Sequence, residues 1–405
     1  MARMNDKYNA LQRQALSFII LMGVVSLFSD MTYEGARSLT GPYLGLLGAS
    51  AFIVGLVSGL GEFIGYALRL LTGIIADKTK NYWLLTIIGY ALNLLAVPLL
   101  ALTGNWPLAA ALIVVERLGK AIRKPARDAM MSHAASQVGV GYGFALEEFL
   151  DQLGAILGPL FLALVIYLNR GAGQLTSYRR AFAFLLIPAL AAMIVLFISR
   201  LKYPAPQEFE ATKSQPTSGQ KFDRNFILYI IGVSFLAAGF ADFPLISYHL
   251  AKTNLLTGSR LPLIYSLAMA IDALAALFFG KLYDRIGLKS LLLSTILSSA
   301  FAPLAFLFSS RTAVIAGLVC WGLGMGAQES IVKAVIASLT SPEKRATAYG
   351  IFNAFFGLAW FAGSALMGFL YQKNINTLVI FSVAGELAAA TFFYLLDRQL
   401  KRKTI

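Results

Sequence analysis

Long apolar stretches alternate with short polar segments along the whole chain. We count twelve such stretches, each near the length of about 20 residues that a helix needs to cross a bilayer. The runs lack a strict alternation of apolar and polar positions, which indicates helices rather than strands. The predicted spans are residues 15–38, 50–76, 82–103, 107–126, 142–168, 179–200, 225–250, 261–283, 289–309, 312–337, 346–371 and 376–396.

The composition agrees with a membrane protein. Of 405 residues, 58% are hydrophobic and 13% are charged, whereas soluble proteins carry about 25% charged residues. The net charge of +14 would suggest nucleic acid in a soluble protein, but in a membrane protein it reflects topology and contact with anionic lipid. We therefore expect an all-α protein embedded in a lipid bilayer, with no nucleic-acid partner.

The distribution of basic residues predicts the orientation. An even number of spans places both termini on one side, and that side holds about 23 of the Lys and Arg residues, against about 7 on the other. The positive-inside rule therefore places both termini in the cytoplasm. Short loops suit a multi-pass protein of a prokaryotic plasma membrane. One cysteine and two histidines provide no framework for a resident metal.

The two halves of the chain share a pattern. A single long connection, residues 201–224, lies near the midpoint and is rich in Pro, Ser and Lys. A shift of 207 residues superposes identical residues at equivalent places in the two halves: Gly73 on Gly280, Asp77 on Asp284, and Tyr142-Gly143 on Tyr349-Gly350. We therefore predict an internal duplication, with six-helix bundles at 1–200 and 225–405 joined by a cytoplasmic linker at 201–224.

The loop after the second span of each half carries a family resemblance. Residues 280–289 match the form G-x-x-x-D-[RK]-x-G-x-[RK] in full, and residues 73–82 match it through Lys78. This motif resembles that of the major facilitator superfamily, which implies twelve helices in two pseudo-symmetric bundles. It also implies a cytoplasmic gate in which glycines allow close helix contact and aspartates form breakable bonds: Gly73, Asp77, Lys78, Gly280, Asp284 and Arg285. The alternative is a charged turn that fixes topology.

Two further elements resemble exporters of this superfamily. The fifth span contains Gly154, Gly158 and Pro159, similar to a G-x-x-x-G-P element whose small residues and kink permit tight packing between bundles. In the fourth span, Arg117 is followed by Gly119, which partly resembles an element of proton-coupled exporters. Both resemblances imply export.

Ionisable residues inside the spans are the candidates for a transport path, because a central charge costs about 2.5 to 3.5 kcal/mol on insertion scales. We find ten acidic residues, including Glu386, and four basic ones: Arg37, Arg69, Arg117 and Lys333. Four bases cannot neutralise ten acids, so the remaining carboxyl groups must bind protons or exchange cations. The predicted substrate and proton pathway comprises Asp30, Glu34, Arg37, Glu62, Arg69, Glu116, Arg117, Glu148, Asp151, Asp242, Asp272 and Glu329.

These observations predict a secondary transporter, and not an enzyme, that works by alternating access. The favoured hypothesis is proton-coupled export of a small compound by a monomer, with a bias towards cations. Asp30, Glu34 and Arg117 would handle the proton, and the proton gradient would supply the energy without any cofactor. The alternatives are a divalent metal-ion exporter with carboxyl oxygen ligands, a symporter or facilitator of a small solute, and a membrane sensor that does not transport.

Overall fold

The computed structural model describes residues 2–209, 224–340 and 345–403, and these residues are helical without any strand. Two short 3-10 helices, Leu100–Leu102 and Pro206–Phe209, accompany the α-helices. The α-helices are α1 (Ala2–Leu46), α2 (Ala51–Thr79), α3 (Tyr82–Leu99), α4 (Trp106–Val138), α5 (Val140–Leu168), α6 (Gln174–Phe184), α7 (Leu186–Lys202), α8 (Arg224–Gly239), α9 (Phe243–Lys252), α10 (Arg260–Ile286), α11 (Lys289–Ser298), α12 (Phe301–Phe306), α13 (Arg311–Leu339), α14 (Arg345–Lys373) and α15 (Ile375–Lys403).

The predicted membrane spans are confirmed with one qualification. Within the described residues, eleven helical stretches are long and apolar enough to cross a bilayer, and each overlaps a predicted span. The twelfth prediction, residues 107–126, lies inside α4, which continues to Val138. Helix α4 is more polar than the others because several charged residues interrupt its apolar sequence.

Three predicted spans each contain two helices, and prolines explain two of these breaks. Pro188 lacks the N–H that would bond to the carbonyl of Phe184, where α6 ends. Pro303 likewise leaves the carbonyl of Ser299 without its helical donor, between α11 and α12. The third break separates α8 from α9, where Asp242 caps a new helix.

The chain divides into two compact units that do not follow the midpoint of the sequence. The first unit contains residues 1–36 and 68–215, and the second contains residues 37–67 and 216–405. The end of α1 and the first part of α2 therefore pack with helices from the second half. The predicted bundle boundaries at 200 and 225 stay a prediction.

Aromatic residues anchor the start of the predicted linker to the first unit. Tyr203 and Phe209 are buried, and their rings lie 5.6 and 6.1 Å from the ring of Phe18. The indole N–H of Trp83 donates a hydrogen bond to the carbonyl of Tyr203 at 3.1 Å. Within the predicted linker, Tyr203, Pro206 and Phe209 are therefore buried while Glu208 is exposed, and residues 210–223 lie outside the described residues.

Glycines allow close helix contacts in the second unit. A Cβ at Gly322 of α13 would overlap the carbonyl oxygen of Ala268 in α10, and a Cβ at Gly326 would overlap that of Asp272. A Cβ at Gly239 of α8 would lie 2.9 Å from the carbonyl oxygen of Ser382 on α15. Gly41 of α1 meets the carbonyl of Pro244 in α9 in the same way. The contact at Gly41 lies close to the ion pair between Arg37 of α1 and Asp242 at the start of α9.

Candidate functional site

The first candidate group lies in the first unit and is centred on Asp30 of α1, which is 4% exposed. Helix α5 fixes its position, because a Cβ at Gly154 would overlap the carbonyl of Leu27, and one at Gly158 would overlap that of Met31. The tight packing predicted for these two glycines is therefore present. Its partner is α1 within the first unit, so the expectation that this element packs between bundles is not met by these contacts.

Asp30 has an incomplete set of hydrogen bonds. Its Oδ2 accepts a hydrogen bond from the hydroxyl of Tyr33 at 2.7 Å, and its Oδ1 is buried without a partner among the described residues. A buried carboxylate oxygen that lacks a donor is costly. The Asp30 carboxyl is therefore suited to bind a proton or a cationic ligand.

Both signs of charge surround Asp30. Its carboxyl interacts electrostatically with Asp151, Lys120, Glu34 and Arg123. The ammonium of Lys120 lies 3.8 Å from the ring centroid of Tyr33, a cation–π contact. We call Asp30, Tyr33, Glu34, Lys120, Arg123 and Asp151 the Asp30 cluster.

The basic members of this cluster were not among the predicted pathway residues. Lys120, Arg123 and Lys124 lie within the predicted fourth span, and Glu147 lies within the fifth, so the predicted totals of four bases and ten acids are both too low. The argument for a surplus of carboxyl groups is correspondingly weaker. The helix that carries these bases, α4, continues past the predicted span to Val138.

Arg117 forms an ion pair with the residue that precedes it. Its Nε lies 3.1 Å from Oε2 of Glu116, and the amide of Asn93 donates to Oε1 of Glu116 at 2.7 Å. Two predicted pathway residues thus bond to each other at the contact of α3 with α4. On these contacts, Lys120 and Arg123 are better placed than Arg117 to act on the proton of Asp30.

A second ionic network in the first unit involves Glu147, which precedes the predicted residue Glu148. Arg127 Nη1 lies 2.8 Å from Oε1 of Glu147, and the hydroxyl of Ser26 donates to the same oxygen at 2.8 Å. Glu148 is exposed, and its carboxyl accepts a hydrogen bond of 3.4 Å from the amide of Gln152. A step of one residue turns a helical side chain by about 100°, so Glu147 and Glu148 lie on different faces of α5.

The second candidate group lies in the second unit and joins three predicted pathway residues. Arg37 Nη2 lies 2.6 Å from Oδ1 of Asp242 and 3.5 Å from Oε1 of Glu62. The side chains of Arg37, Asp242 and Glu62 are 10%, 2% and 14% exposed. We call them the Arg37 triad, in which one base contacts two carboxyl groups.

Asp242 also starts a helix. Its Oδ1 accepts a hydrogen bond from the backbone N–H of Phe243 at 2.9 Å, and Pro244 occupies the first turn of α9, where a missing N–H is tolerated. The indole of Trp321 donates to the carbonyl of Ala241 at 2.9 Å. The backbone groups at this helix break therefore have partners, so the break is a defined part of the fold.

The remaining predicted pathway residues are dispersed. Asp272 is 2% exposed and lies where α10 meets Gly326. Arg69 is partly buried and Glu329 is exposed. The side chain of Lys333, the predicted partner of Glu329, lies outside the described side chains.

The predicted gate residues are exposed. Asp77, Lys78, Asp284 and Arg285 are all at the surface of their units, and no ion pair joins them to a described residue. A Cβ at Gly73 or at Gly280 would lie 3.7 Å from its nearest neighbour, which is ordinary contact. The close approach expected at these two glycines is therefore not observed.

The turn after each of these helices is nevertheless shared by the two halves. Gly287 has φ +61° and Lys80 has φ +55°, and the two positions are related by the same shift of 207 residues. Glycine adopts this backbone region readily, whereas lysine does so at a cost. The first half therefore keeps the turn although its sequence departs from the motif.

The described residues contain no group of three or more His, Cys, Asp and Glu side chains arranged to hold a metal ion. The Asp30 cluster and the Arg37 triad instead combine acids with bases. This chemistry suits proton exchange and the binding of charged or polar solutes.

Comparison with known proteins gives a match to one family model and to several relatives. The family model of the Major Facilitator Superfamily matches residues 14–248 and 227–405. An uncharacterised protein of Mycobacterium tuberculosis is 40% identical over 390 residues, which is 94% of each chain. An uncharacterised MFS-type transporter of Methanocaldococcus jannaschii is 28% identical over 388 residues. The match covers 91% of this chain and 92% of the transporter.

Solved structures share the fold at low sequence identity. A bacterial homologue of the human lysosomal transporter Spinster, inward-facing and unoccupied, has a TM-score of 0.71 at 14% identity, over 95% of this chain and 97% of that one. The nucleoside transporter NupG has a TM-score of 0.74 at 13% identity, over 94% and 99% of the two chains. These likenesses concern the arrangement of helices.

Proposed function

The chain belongs to the major facilitator superfamily, and from this premise we propose that it is a secondary transporter that exports a small solute in exchange for protons. Asp30 is the proton carrier in this proposal. The protein lies in the plasma membrane with both termini in the cytoplasm, as the distribution of basic residues indicates.

The observation that carries the proposal is the incomplete bonding of Asp30. The carboxyl is buried, one oxygen has a donor in Tyr33, and the other has none among the described residues. A proton on the carboxyl removes the cost of an unsatisfied buried charge. Movement of Lys120 or Arg123 towards Asp30 favours the ionised form, and movement away favours the protonated form. A conformational cycle that moves α4 against α1 would therefore bind and release a proton.

Helix contacts make Asp30 a precise sensor of such movement. Gly154 and Gly158 hold α1 against α5 around this residue, so the carboxyl moves with α5. The bases belong to a different helix, α4. The proton affinity of Asp30 then depends on the position of α4 relative to α1 and α5. Such a dependence is what couples proton binding to a conformational change.

The Arg37 triad is the conformational counterpart in the second unit. Its ion pair attaches the end of α1 to the start of α9. We propose that the bond between Arg37 and Asp242 breaks when residues 37–67 separate from α9 during the cycle. Export is favoured over uptake by the helix-packing element Gly154, Gly158 and Pro159, whose exporter-like sequence lies directly against the proton carrier.

The charges of the Asp30 cluster are mixed in sign. Lys120 and Arg123 supply positive charge beside Asp30, Glu34 and Asp151. The solute class is therefore left open in the test, which uses an extract of cytosolic metabolites as the probe. Divalent metal salts form a separate arm of the same test.

The test uses membrane vesicles of both orientations from cells that produce the full chain. Energised inside-out vesicles are given the extract, and the accumulated compounds are measured by mass spectrometry. We expect accumulation with the wild-type protein and its loss to the level of protein-free vesicles with Asp30→Asn. Glu208→Gln, which removes an exposed carboxyl of the first unit, is the matched control and should transport normally.

Other outcomes would replace the proposal. Accumulation only in right-side-out vesicles would indicate uptake, and accumulation of a divalent metal would indicate a metal exporter. Transport that Asp30→Asn leaves unchanged would remove Asp30 as the proton carrier. A protein with no activity in any arm would support the sensor alternative.

A further inference from the structure

The second unit contains a buried carboxyl that neither candidate group uses. Glu386 of α15 is fully buried, at 0% exposure. Its Oε2 forms a hydrogen bond with the hydroxyl of Ser298 on α11. Its Oε1 is buried without a hydrogen-bond partner in the part of the chain that the structure describes.

Glu386 lies at a tight contact between α8 and α15. The hydroxyl of Ser382, one turn before Glu386, donates to the carbonyl of Gly239 at 2.6 Å. A Cβ at Gly385 would lie 2.9 Å from the Cα of Gly239, so neither glycine has room for a side chain. We call this contact the Gly239 clamp. It holds the last residue of α8 immediately before the break that leads to Asp242.

No positive charge compensates Glu386 among the described residues. Helix α8 presents Gly239 and Phe235 to this part of α15, and α11 presents the hydroxyl of Ser298. The titratable group that interacts with the carboxyl is the thiol of Cys320 on α13. A thiol carries no positive charge, so an ionised Glu386 would be a buried anion without a counter-ion.

The hydrogen bonds of Ser298 point to the neutral form as well. Its hydroxyl has one hydrogen, and it lies within reach of two oxygen atoms, the carbonyl of Thr295 at 3.1 Å and Oε2 of Glu386. If the hydroxyl donates to Thr295, the short contact with Glu386 requires a hydrogen on the carboxyl. A protonated Glu386 satisfies both bonds at once.

We propose that Glu386 is a second proton-binding site, which holds its proton while the Gly239 clamp is closed and releases it when α8 and α15 separate. Opening the clamp would admit water or a new partner to the carboxyl, and either would favour ionisation. Gly239 lies three residues before Asp242, so movement at the clamp reaches the residue that bonds Arg37. The link to transport rests on the proposed function, whereas the protonation of Glu386 does not.

The first experiment measures the protonation state directly by infrared spectroscopy of the full-length protein purified in detergent. At about pH 8, where an ordinary glutamate is ionised, we expect a carbonyl-stretching band of a protonated carboxyl that disappears in Glu386→Gln. Asp397→Asn is the control on the same helix, because Asp397 is held 2.5 Å from the Lys401 ammonium and should contribute no such band. A band of equal intensity in the wild type and Glu386→Gln would overturn the proposal.

A second variant guards against misfolding. Ser298→Ala removes the hydrogen-bond partner but keeps the carboxyl, so it should shift the frequency of the band assigned to Glu386. An unshifted band would contradict the assignment. Loss of the wild-type band on addition of sodium chloride, compared with choline chloride, would show that the site binds a metal cation in place of a proton and would likewise overturn the proposal.

The link to transport is measured in the vesicles described above. Glutamine has the size of a protonated glutamate and cannot release a proton, so Glu386→Gln should lose proton-driven accumulation while it retains exchange of solute across the membrane. Unchanged proton-driven accumulation would overturn the coupling role. If Asp30→Asn also leaves transport unchanged while the infrared band of Glu386 is found, the proposed function fails and the proton-binding site stands.

Discussion

Gly154 of α5 lies directly against Asp30 of α1, where a Cβ added to the glycine would be 3.0 Å from the Cβ of the aspartate. The same added atom would overlap the carbonyl of Leu27. The residue that positions the proposed proton carrier therefore carries no functional group of its own. Its role is to leave space that α1 occupies.

Gly154→Ala is expected to destabilise the protein by about 1 to 3 kcal/mol, the usual cost of inserting a methyl group into a filled core. The backbone of α1 must move, and Asp30 moves with it, so proton-driven transport should fall as well. Thermal unfolding in detergent measures the first effect. Gly350→Ala is the matched control, because no atom lies within 4 Å of a Cβ at that helical glycine. Equal melting temperatures for Gly154→Ala and the wild type would show that α1 tolerates the methyl group.

Lys80→Gly is expected to stabilise the protein by up to about 1 kcal/mol, because it relieves a positive φ that lysine adopts at a cost. Lys78→Gly removes the same charge from the last turn of α2 and should instead cost up to about 1 kcal/mol. The difference between the two melting temperatures isolates the backbone effect from the charge effect. A lower stability for Lys80→Gly would mean that its side chain contributes more than the strain.

Removal of one partner from the Arg37 triad should be more harmful than removal of two. Arg37→Met removes the base that contacts Asp242 and Glu62, and breaking a buried ion pair typically costs about 3 to 5 kcal/mol. Asp242→Asn keeps a good helix cap but removes the charge. A double-mutant cycle on unfolding free energies should give a coupling of about 0.5 to 3 kcal/mol between these two positions. Strict additivity would indicate that the pair contributes no net attraction.

The neighbours Glu147 and Glu148 should differ sharply in a stability measurement. Glu147→Gln disrupts the bonds to Arg127 and Ser26, and we expect a loss of about 1 to 3 kcal/mol because buried Arg127 loses one carboxylate partner and keeps Asp128. Glu148→Gln changes an exposed carboxyl and should stay within about 0.5 kcal/mol of the wild type. Comparable losses in the two variants would contradict the helical phase described for α5.

Sequence reasoning succeeded where a property depends on the average of many residues. The length of each apolar run fixes a membrane helix without reference to any neighbour, so the all-helical fold and the spans were predictable. The glycines at 154 and 158 were also predictable as packing residues, because a helix contact is the main use of such spacing in membrane proteins. The partner helix was not, because spacing along one helix says nothing about which helix faces it.

Individual charges were harder to place. Glu147 and Glu148 are adjacent, and a small error in helical phase exchanges the buried and the exposed residue. Lys120 and Arg123 lie inside the predicted fourth span, but the sequence does not show that they face Asp30, because that depends on how α4 packs against α1. The division into units could not be predicted either, since the assignment of residues 37–67 to the second unit depends on long-range contacts.

One carboxylate oxygen of Asp242 takes part in both an ion pair and a helix cap in the second unit. Oδ1 of Asp242 receives both the guanidinium of Arg37 and the first amide of α9. An event that draws this carboxyl away from Arg37 therefore also weakens the cap at the first turn of α9, so the ion pair and the helix end depend on the position of one side chain.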